Sequence, residues 1–184
     1  MNRWVIAGAV VVLFLASLVL RRTHRVDFGF AIEAPYLDVV AAFADIDRYP
    51  ELTEGRVSAG KIHQFDERTD AAGNRVVEVS YSVWALGTEN TGYRIYTYFP
   101  DRSRASIDLK FHTVLAFEDT HILWEFEQVG GATRIEGRGT RKAPWLLSLF
   151  SRYHSEQALL LFENIERELK ARSSVEKVDR GADA

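Results

Sequence analysis

The chain has 184 residues, no cysteine and a formal net charge of −3 at pH 7. That length suits one globular domain, and without cysteine there is neither a disulfide framework nor a zinc–thiolate site. The acidic balance also argues against broad nucleic-acid binding, which depends on basic patches that displace counterions from phosphate. Hydrophobic residues make up 47% of the chain, but many of them are concentrated near its amino terminus.

Residues 4–20 form an almost wholly apolar segment, in which only Gly8 and Ser17 are not hydrophobic. As a helix it would be about 26 Å long, close to the hydrocarbon core of about 30 Å that a membrane span must cross. A cleaved secretory signal needs small residues at positions −3 and −1, but cleavage after Ala16 would place Phe14 at −3. We therefore predict one transmembrane anchor; a cleaved signal and a buried soluble helix remain alternatives.

The charges that flank this segment predict its orientation. Arg3 precedes it, whereas Arg21, Arg22 and Arg25 follow it closely. Positively charged flanks favour the cytoplasmic side of a membrane. The sequence thus predicts a single-pass membrane protein with a cytoplasmic soluble domain.

In the rest of the chain, apolar and polar residues alternate as they do in a strand-rich domain. Residues 26–32 place apolar side chains at every second position, the pattern of a half-buried strand. Pro35 then opens a helix, and residues 47–52 form a turn or a single helical turn. Strand-like runs follow at 57–65, 75–86, 91–99, 104–111, 122–129 and 132–142. An apolar stripe at helical spacing predicts a long helix from Pro144 to Lys170, and residues 171–184 are predicted to be a disordered tail.

This order predicts an α+β domain, because a sheet with one apolar face needs the long helix to cover it. The segments FAIEAPYLDVVAAFADIDRYPEL and WEFEQVGGATRIEGRGTRKAP, followed by a long helix, resemble the SRPBCC superfamily, which includes START-like, polyketide cyclase/dehydrase and lipid-transport proteins. The resemblance covers residues 26–170. Asp45 to Pro50, with the pattern D-x-x-x-YP, is most similar to the coenzyme Q-binding START-like branch. The resemblance implies a helix-grip fold, with a curved antiparallel sheet of about seven strands around the C-terminal helix.

A cavity between the sheet and the long helix is implied by the same resemblance, and aromatic side chains would line it. Tyrosine and tryptophan bury ring area there while keeping one polar group for a ligand. A plain core role for the aromatic residues, and a histidine bonded to the sheet or half-exposed at the helix edge, remain open. The predicted ligand-binding residues are Tyr49, Trp84, Tyr96, Trp124, Phe150, Tyr153 and His154.

Two glycine patterns do not support nucleotide binding. Residues from Gly55 to Lys61 match most of a phosphate-binding loop, but Ile62 stands where a hydroxyl is needed to bind magnesium. Gly137 and Gly139 open no helix, so they do not form a dinucleotide fingerprint. On a strand, these two glycines are expected to let the long helix approach closely or the sheet bend.

The titratable residues predict no catalytic group, no metal ion and no cofactor. Glu125 and Glu127 could form an acid–base pair, but Trp124 and Phe126 alternate with them and take the buried face. The glutamates should therefore face solvent opposite arginines of the next strand. The five histidines lack the spacing of metal ligands.

These features together predict a membrane-anchored binding module that holds a hydrophobic ligand, a lipid or an isoprenoid quinone. Its expected partners are that ligand and, through the N-terminal helix, the membrane; no nucleic acid is expected, and protein partners are not predicted. The alternative is a cyclase/dehydrase-type enzyme acting on a small hydrophobic carbonyl compound, with His154 or Tyr96 moving a proton. A structural or assembly role is the third hypothesis.

Overall fold

The computed structural model describes residues 3–85, 87–100, 103–114, 118–145 and 159–171. Helix α1 (Arg3–Val19) leads into strand β1 (Arg21–Ile32). Two helices follow, α2 (Tyr36–Ala44) and α3 (Tyr49–Leu52), joined by the 3-10 turn Ile46–Arg48. The remaining strands are β2 (Val57–Thr69), β3 (Arg75–Ala85), β4 (Thr88–Tyr98), β5 (Arg104–Thr113), β6 (Glu118–Val129) and β7 (Ala132–Pro144). The last described helix, α4, covers 159–171.

All seven strands form one antiparallel sheet in the order β1-β7-β6-β5-β4-β3-β2. Consecutive strands from β2 to β7 are neighbours, as expected for strands joined by short turns. Strand β1 pairs with β7, which is far away in the chain. The predicted α+β fold with about seven antiparallel strands and a C-terminal helix is therefore confirmed.

One face of the sheet, the inner face, carries the core. Strand alternation sends Ile107 of β5, Phe126 of β6 and Ile135 of β7 inward, where all three are fully buried. Helix α2 packs its own buried residues, including Phe43, against this face. Helix α4 does the same through Phe162, whose ring lies near that of Phe43. The sheet, α2 and α4 thus share one core, to which Tyr49 and Leu52 of α3 also belong.

The outer face is polar, as predicted for Glu125 and Glu127. Both glutamates are exposed. Arg134 on β7 forms an ion pair with Glu127 at 3.0 Å and a longer one with Glu136 at 3.4 Å. Such exposed cross-strand pairs contribute little stability, so this ladder is a solvated surface.

The predicted transmembrane anchor at residues 4–20 and the single-pass membrane localisation are wrong. Within the described ranges, no helix combines the length and the hydropathy that a membrane crossing requires. Helix α1 ends at Val19, and Arg21 and Arg22, which were expected to flank the membrane, belong to β1. They pair there with Pro144 and Ala143 of β7. The sheet therefore begins five residues earlier than the alternation from Val26 indicated.

The long C-terminal helix was predicted to begin at Pro144, and that start is wrong. Pro144 is the last residue of β7 and pairs with Arg21. Residues 159–171 are helical as expected, whereas 146–158 and 172–184, which include most of the predicted tail, lie outside the described residues. Helix α4 is tied to α3 and the turn before it, because Asn164 donates to the Leu52 carbonyl at 2.9 Å and Arg48 donates to Glu168 at 2.8 Å.

Candidate ligand-binding cavity

A cavity of about 170 Å³ lies on the inner face of the sheet. Every strand contributes at least one lining residue, and so do α2, α3 and α4. Most of the lining is apolar or aromatic, which is typical of sites for hydrophobic small molecules. The lining residues are Phe28, Phe43, Tyr49, Thr53, Val57, Tyr81, Val83, Arg94, Leu109, Phe111, Thr113, Thr120, Ile122, Trp124, Arg141 and Leu161.

One wall of the cavity is a cluster of rings around Trp124. The indole stacks on Phe28 with centroids 5.5 Å apart and lies 5.9 Å from Phe43 and 5.1 Å from Phe162. Gly137 faces Trp124 on the neighbouring strand, and a Cβ there would lie 2.5 Å from the indole Cζ3. The absence of a side chain at Gly137 therefore allows the indole to lie flat against the sheet.

For the two β7 glycines, the nearest described atoms to an added Cβ belong to β6, and a bend of the sheet at these positions stays a prediction. Gly137 makes room for an indole, and a Cβ at Gly139 would meet the backbone of β6 at His121. Neither neighbour belongs to a helix. Gly92 on β4 resembles Gly137, because a Cβ there would overlap the ring of Tyr81 on β3. In two places, then, a glycine on one strand accommodates a large ring from the next.

The lining also includes a buried arginine, Arg94, which is 2% exposed. Its guanidinium donates to the Phe43 carbonyl at 3.0 Å, to the Tyr96 hydroxyl at 3.2 Å and to the Tyr49 hydroxyl at 2.6 Å. The Tyr49 hydroxyl in turn donates to the same carbonyl at 2.8 Å. The rings of Phe43, Tyr49 and Tyr81 lie within 4.5–5.4 Å of the guanidinium carbon. Arg94 thus joins β4 to α2 and α3 and contributes a charge to the cavity.

Two buried donors of the lining have no hydrogen-bond partner among the described residues. They are the Nε–H of Arg94 and the Nε1–H of Trp124. Both groups pack on one ring, because Phe43 lies 4.9 Å from the Arg94 guanidinium carbon and 5.9 Å from the Trp124 ring. A buried donor without an acceptor is costly, so both N–H groups of this lining leave a hydrogen bond unmade among the described residues.

The second arginine of the lining, Arg141, is neutralised. Its Nε lies 2.7 Å from one oxygen of Glu118 and a terminal nitrogen lies 2.9 Å from the other. Both side chains are almost completely buried, and Thr120 adds a hydrogen bond to Glu118 at 3.0 Å. A two-point pair of this kind is among the strongest ionic contacts in proteins. Arg141 therefore adds no net charge to the cavity.

The protonation states around Arg94 follow from burial. Burial raises the pKa of Tyr49, and the positive charge of Arg94 offsets only part of that rise. The pKa of Tyr81 is raised for the same reason. Burial opposes the charge on Arg94, but the oxygens of Tyr49, Tyr81 and Tyr96 keep its pKa well above the usual range. Near neutral pH the tyrosines are therefore neutral and Arg94 is a cation.

The structure brings some of the predicted site residues to the cavity. Tyr49 and Trp124 line it. Tyr96 is buried next to the lining and accepts a hydrogen bond from Arg94. Trp84 is placed elsewhere: it is 46% exposed, because the inward positions of β3 are those of Tyr81 and Val83. The other three predicted residues, Phe150, Tyr153 and His154, lie outside the described residues. The ligand-binding role of each remains a prediction.

Arg94 is the residue that the sequence interpretation missed. The run TGYRIYTYF places Gly92, Arg94 and Tyr96 on one face of β4, and Tyr93 and Ile95 on the other. An arginine that shares the face of a predicted cavity tyrosine is the signal that could have identified it.

Comparisons with known proteins define the class of fold. No protein-family model and no curated protein sequence matches the chain. Among solved structures, the Zhui aromatase/cyclase from Streptomyces sp. R1128 aligns with a TM-score of 0.55 and 14% identity, over 83% of this chain and 96% of its own. A START superfamily protein from Mycobacterium smegmatis aligns with a TM-score of 0.53 and 12% identity, over 78% and 98%. A second protein from that organism, Ms6760, has a TM-score of 0.53 and 17% identity, over 80% and 92%.

Two of these neighbours, an aromatase/cyclase and a START superfamily protein, are of the kind that the resemblance in the sequence implied. At such low identity they define the fold alone. The particular ligand and the coenzyme Q branch remain hypotheses.

Proposed function

We propose that this protein is a binding module that holds a hydrophobic molecule in the cavity on the inner face of its sheet. The observation that carries the proposal is the cavity itself, with a mostly apolar lining supplied by all seven strands and three helices. A buried apolar surface of this shape with a few polar groups is the usual architecture of a small-molecule site.

The ligand class that we propose is a lipid or an isoprenoid quinone. Each combines a large apolar part with a small number of oxygen atoms, which matches a mostly apolar lining that contains the charge of Arg94. The volume of about 170 Å³ suits one ring-sized group, since an engineered apolar cavity of about 150 Å³ binds benzene. We therefore expect the cavity to hold the oxygen-bearing end of the ligand.

Co-purification tests this proposal. The full chain is purified without detergent, its bound molecules are extracted into organic solvent, and the extract is analysed by mass spectrometry. Leu109 lines the cavity, so Leu109→Phe should fill part of it and reduce the amount of ligand recovered. Leu123 on the adjacent strand is exposed on the outer face, so Leu123→Phe is the matched control and should recover as much as the wild type. A cavity that is reproducibly empty and binds neither added lipid nor added quinone would contradict the proposal.

A second candidate is an enzyme of the cyclase/dehydrase type acting on a small hydrophobic carbonyl compound. The observation that favours it is the aromatase/cyclase among the structural neighbours. In this chain Arg94 would polarise a carbonyl oxygen, and Tyr49 would be the hydroxyl nearest to that charge. A panel of small hydrophobic ketones incubated with the protein should then yield products detectable by mass spectrometry, and Tyr49→Phe should slow their formation. Unchanged ketones would exclude this activity for that panel.

A further inference from the structure

The net charge of the cavity indicates which kind of ligand it favours. Two arginines line it, and Arg141 is paired with Glu118. The groups bonded to Arg94 are all neutral: the carbonyl of Phe43 and the hydroxyls of Tyr49 and Tyr96. Among the residues that the structure describes, the cavity therefore keeps one net positive charge, at Arg94.

Neutral dipoles and ring faces hold the buried cation of Arg94 without neutralising it, and an anion would form a stronger, charge-assisted hydrogen bond with it. Arg94 has a further requirement, since its buried Nε–H donor has no described partner. The Nε1–H of Trp124 is a second buried donor of the same lining and is likewise without a described partner. Both of these N–H groups are hydrogen-bond donors, so a ligand would satisfy them with acceptor atoms.

We propose that the cavity takes a hydrophobic acid, whose anionic oxygen binds Arg94 while its apolar part packs against the rings of Phe28 and Trp124. The anionic group is a carboxylate or the ionised hydroxyl of an acidic phenol or enol. This inference rests on the proposed binding function and selects within it. A neutral quinone or a neutral lipid supplies a hydrogen-bond acceptor. Only an anion also supplies the negative charge that balances the guanidinium of Arg94.

The competing role for Arg94 is purely structural, since its bonds join β4 to α2 and α3. The two roles predict different results for a matched set of ligands. A structural arginine would change stability and affect all bound ligands alike. An anion-binding arginine would change the preference between a charged and a neutral ligand of the same shape.

Calorimetric titration of the full chain near neutral pH separates these roles. The probes are 2-naphthoate, which carries a carboxylate, 2-acetylnaphthalene, which carries a neutral carbonyl, and 2-methylnaphthalene, which carries no acceptor. We expect 2-naphthoate to bind about tenfold or more tightly than 2-acetylnaphthalene, the effect typical of hydrogen bonds to a charged group. The methyl compound should bind most weakly.

Three variants test whether the preference for the acid over the ketone depends on Arg94. Arg94→Met removes the charge with little change in length and should bring the affinities of acid and ketone to within about threefold of each other. Arg94→Lys keeps a positive charge but loses the Nε–H donor, so it should retain part of the preference for the acid. If Arg94→Met does not fold, the lysine variant still tests the role of Arg94. Arg138→Met removes an arginine from the exposed outer face and should leave the preference unchanged.

Each outcome is decisive. A preference for the acid that disappears in Arg94→Met and persists in Arg138→Met supports the inference. Equal binding of acid and ketone by the wild type, or a preference that survives in Arg94→Met, overturns it and leaves the proposed binding function intact. The absence of binding for all three probes contradicts the binding function itself.

Discussion

The packing of the aromatic wall can be perturbed with a single methyl group. In Gly137→Ala the new Cβ would lie 2.5 Å from Cζ3 and 2.6 Å from Cε3 of Trp124. Carbon atoms normally approach to about 3.5 Å, so the indole would have to move by about 1 Å. It has little freedom to do so, because its other neighbours are the rings of Phe28, Phe43 and Phe162.

The cost of this change follows from its surroundings. Forcing an extra methyl group into a well-packed core costs about 1–3 kcal/mol. Replacing a strand glycine by alanine otherwise favours folding by about 0.5–1 kcal/mol. Gly29 on β1 is the matched control, because a Cβ there would meet no atom within 4 Å. Because the gain applies to both variants, we expect Gly137→Ala to be less stable than Gly29→Ala by the overpacking cost alone, about 1–3 kcal/mol.

Thermal unfolding followed by circular dichroism measures the difference. For a chain of this size, each kcal/mol shifts Tm by about 2–4 °C. Trp124→Phe removes the outer part of the indole, so Gly137→Ala should cost less in that background, as a double-mutant cycle would show. Equal Tm values for Gly137→Ala and Gly29→Ala would refute the packing argument, and so would a cost unaffected by Trp124→Phe.

Two further predictions concern charged groups. Glu118→Gln removes the carboxylate that Arg141 binds at two points, and the free energy of unfolding in urea should fall by about 3–5 kcal/mol, against less than about 1 kcal/mol for the exposed Glu127→Gln; similar losses would contradict this. A hydrogen bond from His112 lowers the pKa of Asp119 in the folded protein. The carboxylate therefore stabilises the fold at pH values above its unfolded pKa of about 3.9. That stabilisation is lost as the pH falls through the lower pKa of the folded protein. Asp119→Asn should therefore lose less stability than the wild type below about pH 4, and identical acid unfolding curves would contradict the assignment.

Strand positions could be predicted wherever only one face of a strand is apolar. In β5, Ala105, Ile107 and Leu109 alternate with polar residues, and the structure buries all three. Strand β3 is different because Val76 and Val77 put apolar side chains on both faces. Periodicity could not choose between its faces, and the structure places Trp84 on the face opposite that of Tyr81 and Val83, where it is exposed.

Long-range contacts account for the other differences. Hydropathy predicted a membrane span over residues 4–20, and no local pattern in the sequence reveals that Arg21, directly after this segment, pairs with Pro144. Arg94 is buried because its guanidinium finds the carbonyl of Phe43 and the hydroxyl of Tyr49, which belong to helices about 50 residues away in the chain. A lone arginine in a strand is usually solvent-exposed, and tertiary contacts reverse that preference here.

The most direct test of the account is to locate a bound neutral probe by nuclear magnetic resonance in protein labelled at its leucine methyl groups. 2-Acetylnaphthalene has no charge, so its position tests the cavity independently of the preference for an acid. The account predicts saturable binding with nuclear Overhauser effects to the methyl groups of Leu109, which lines the cavity, and none to those of Leu123 on the outer face. Effects confined to Leu123, or no saturable binding, would contradict the claim that this cavity holds a hydrophobic ligand.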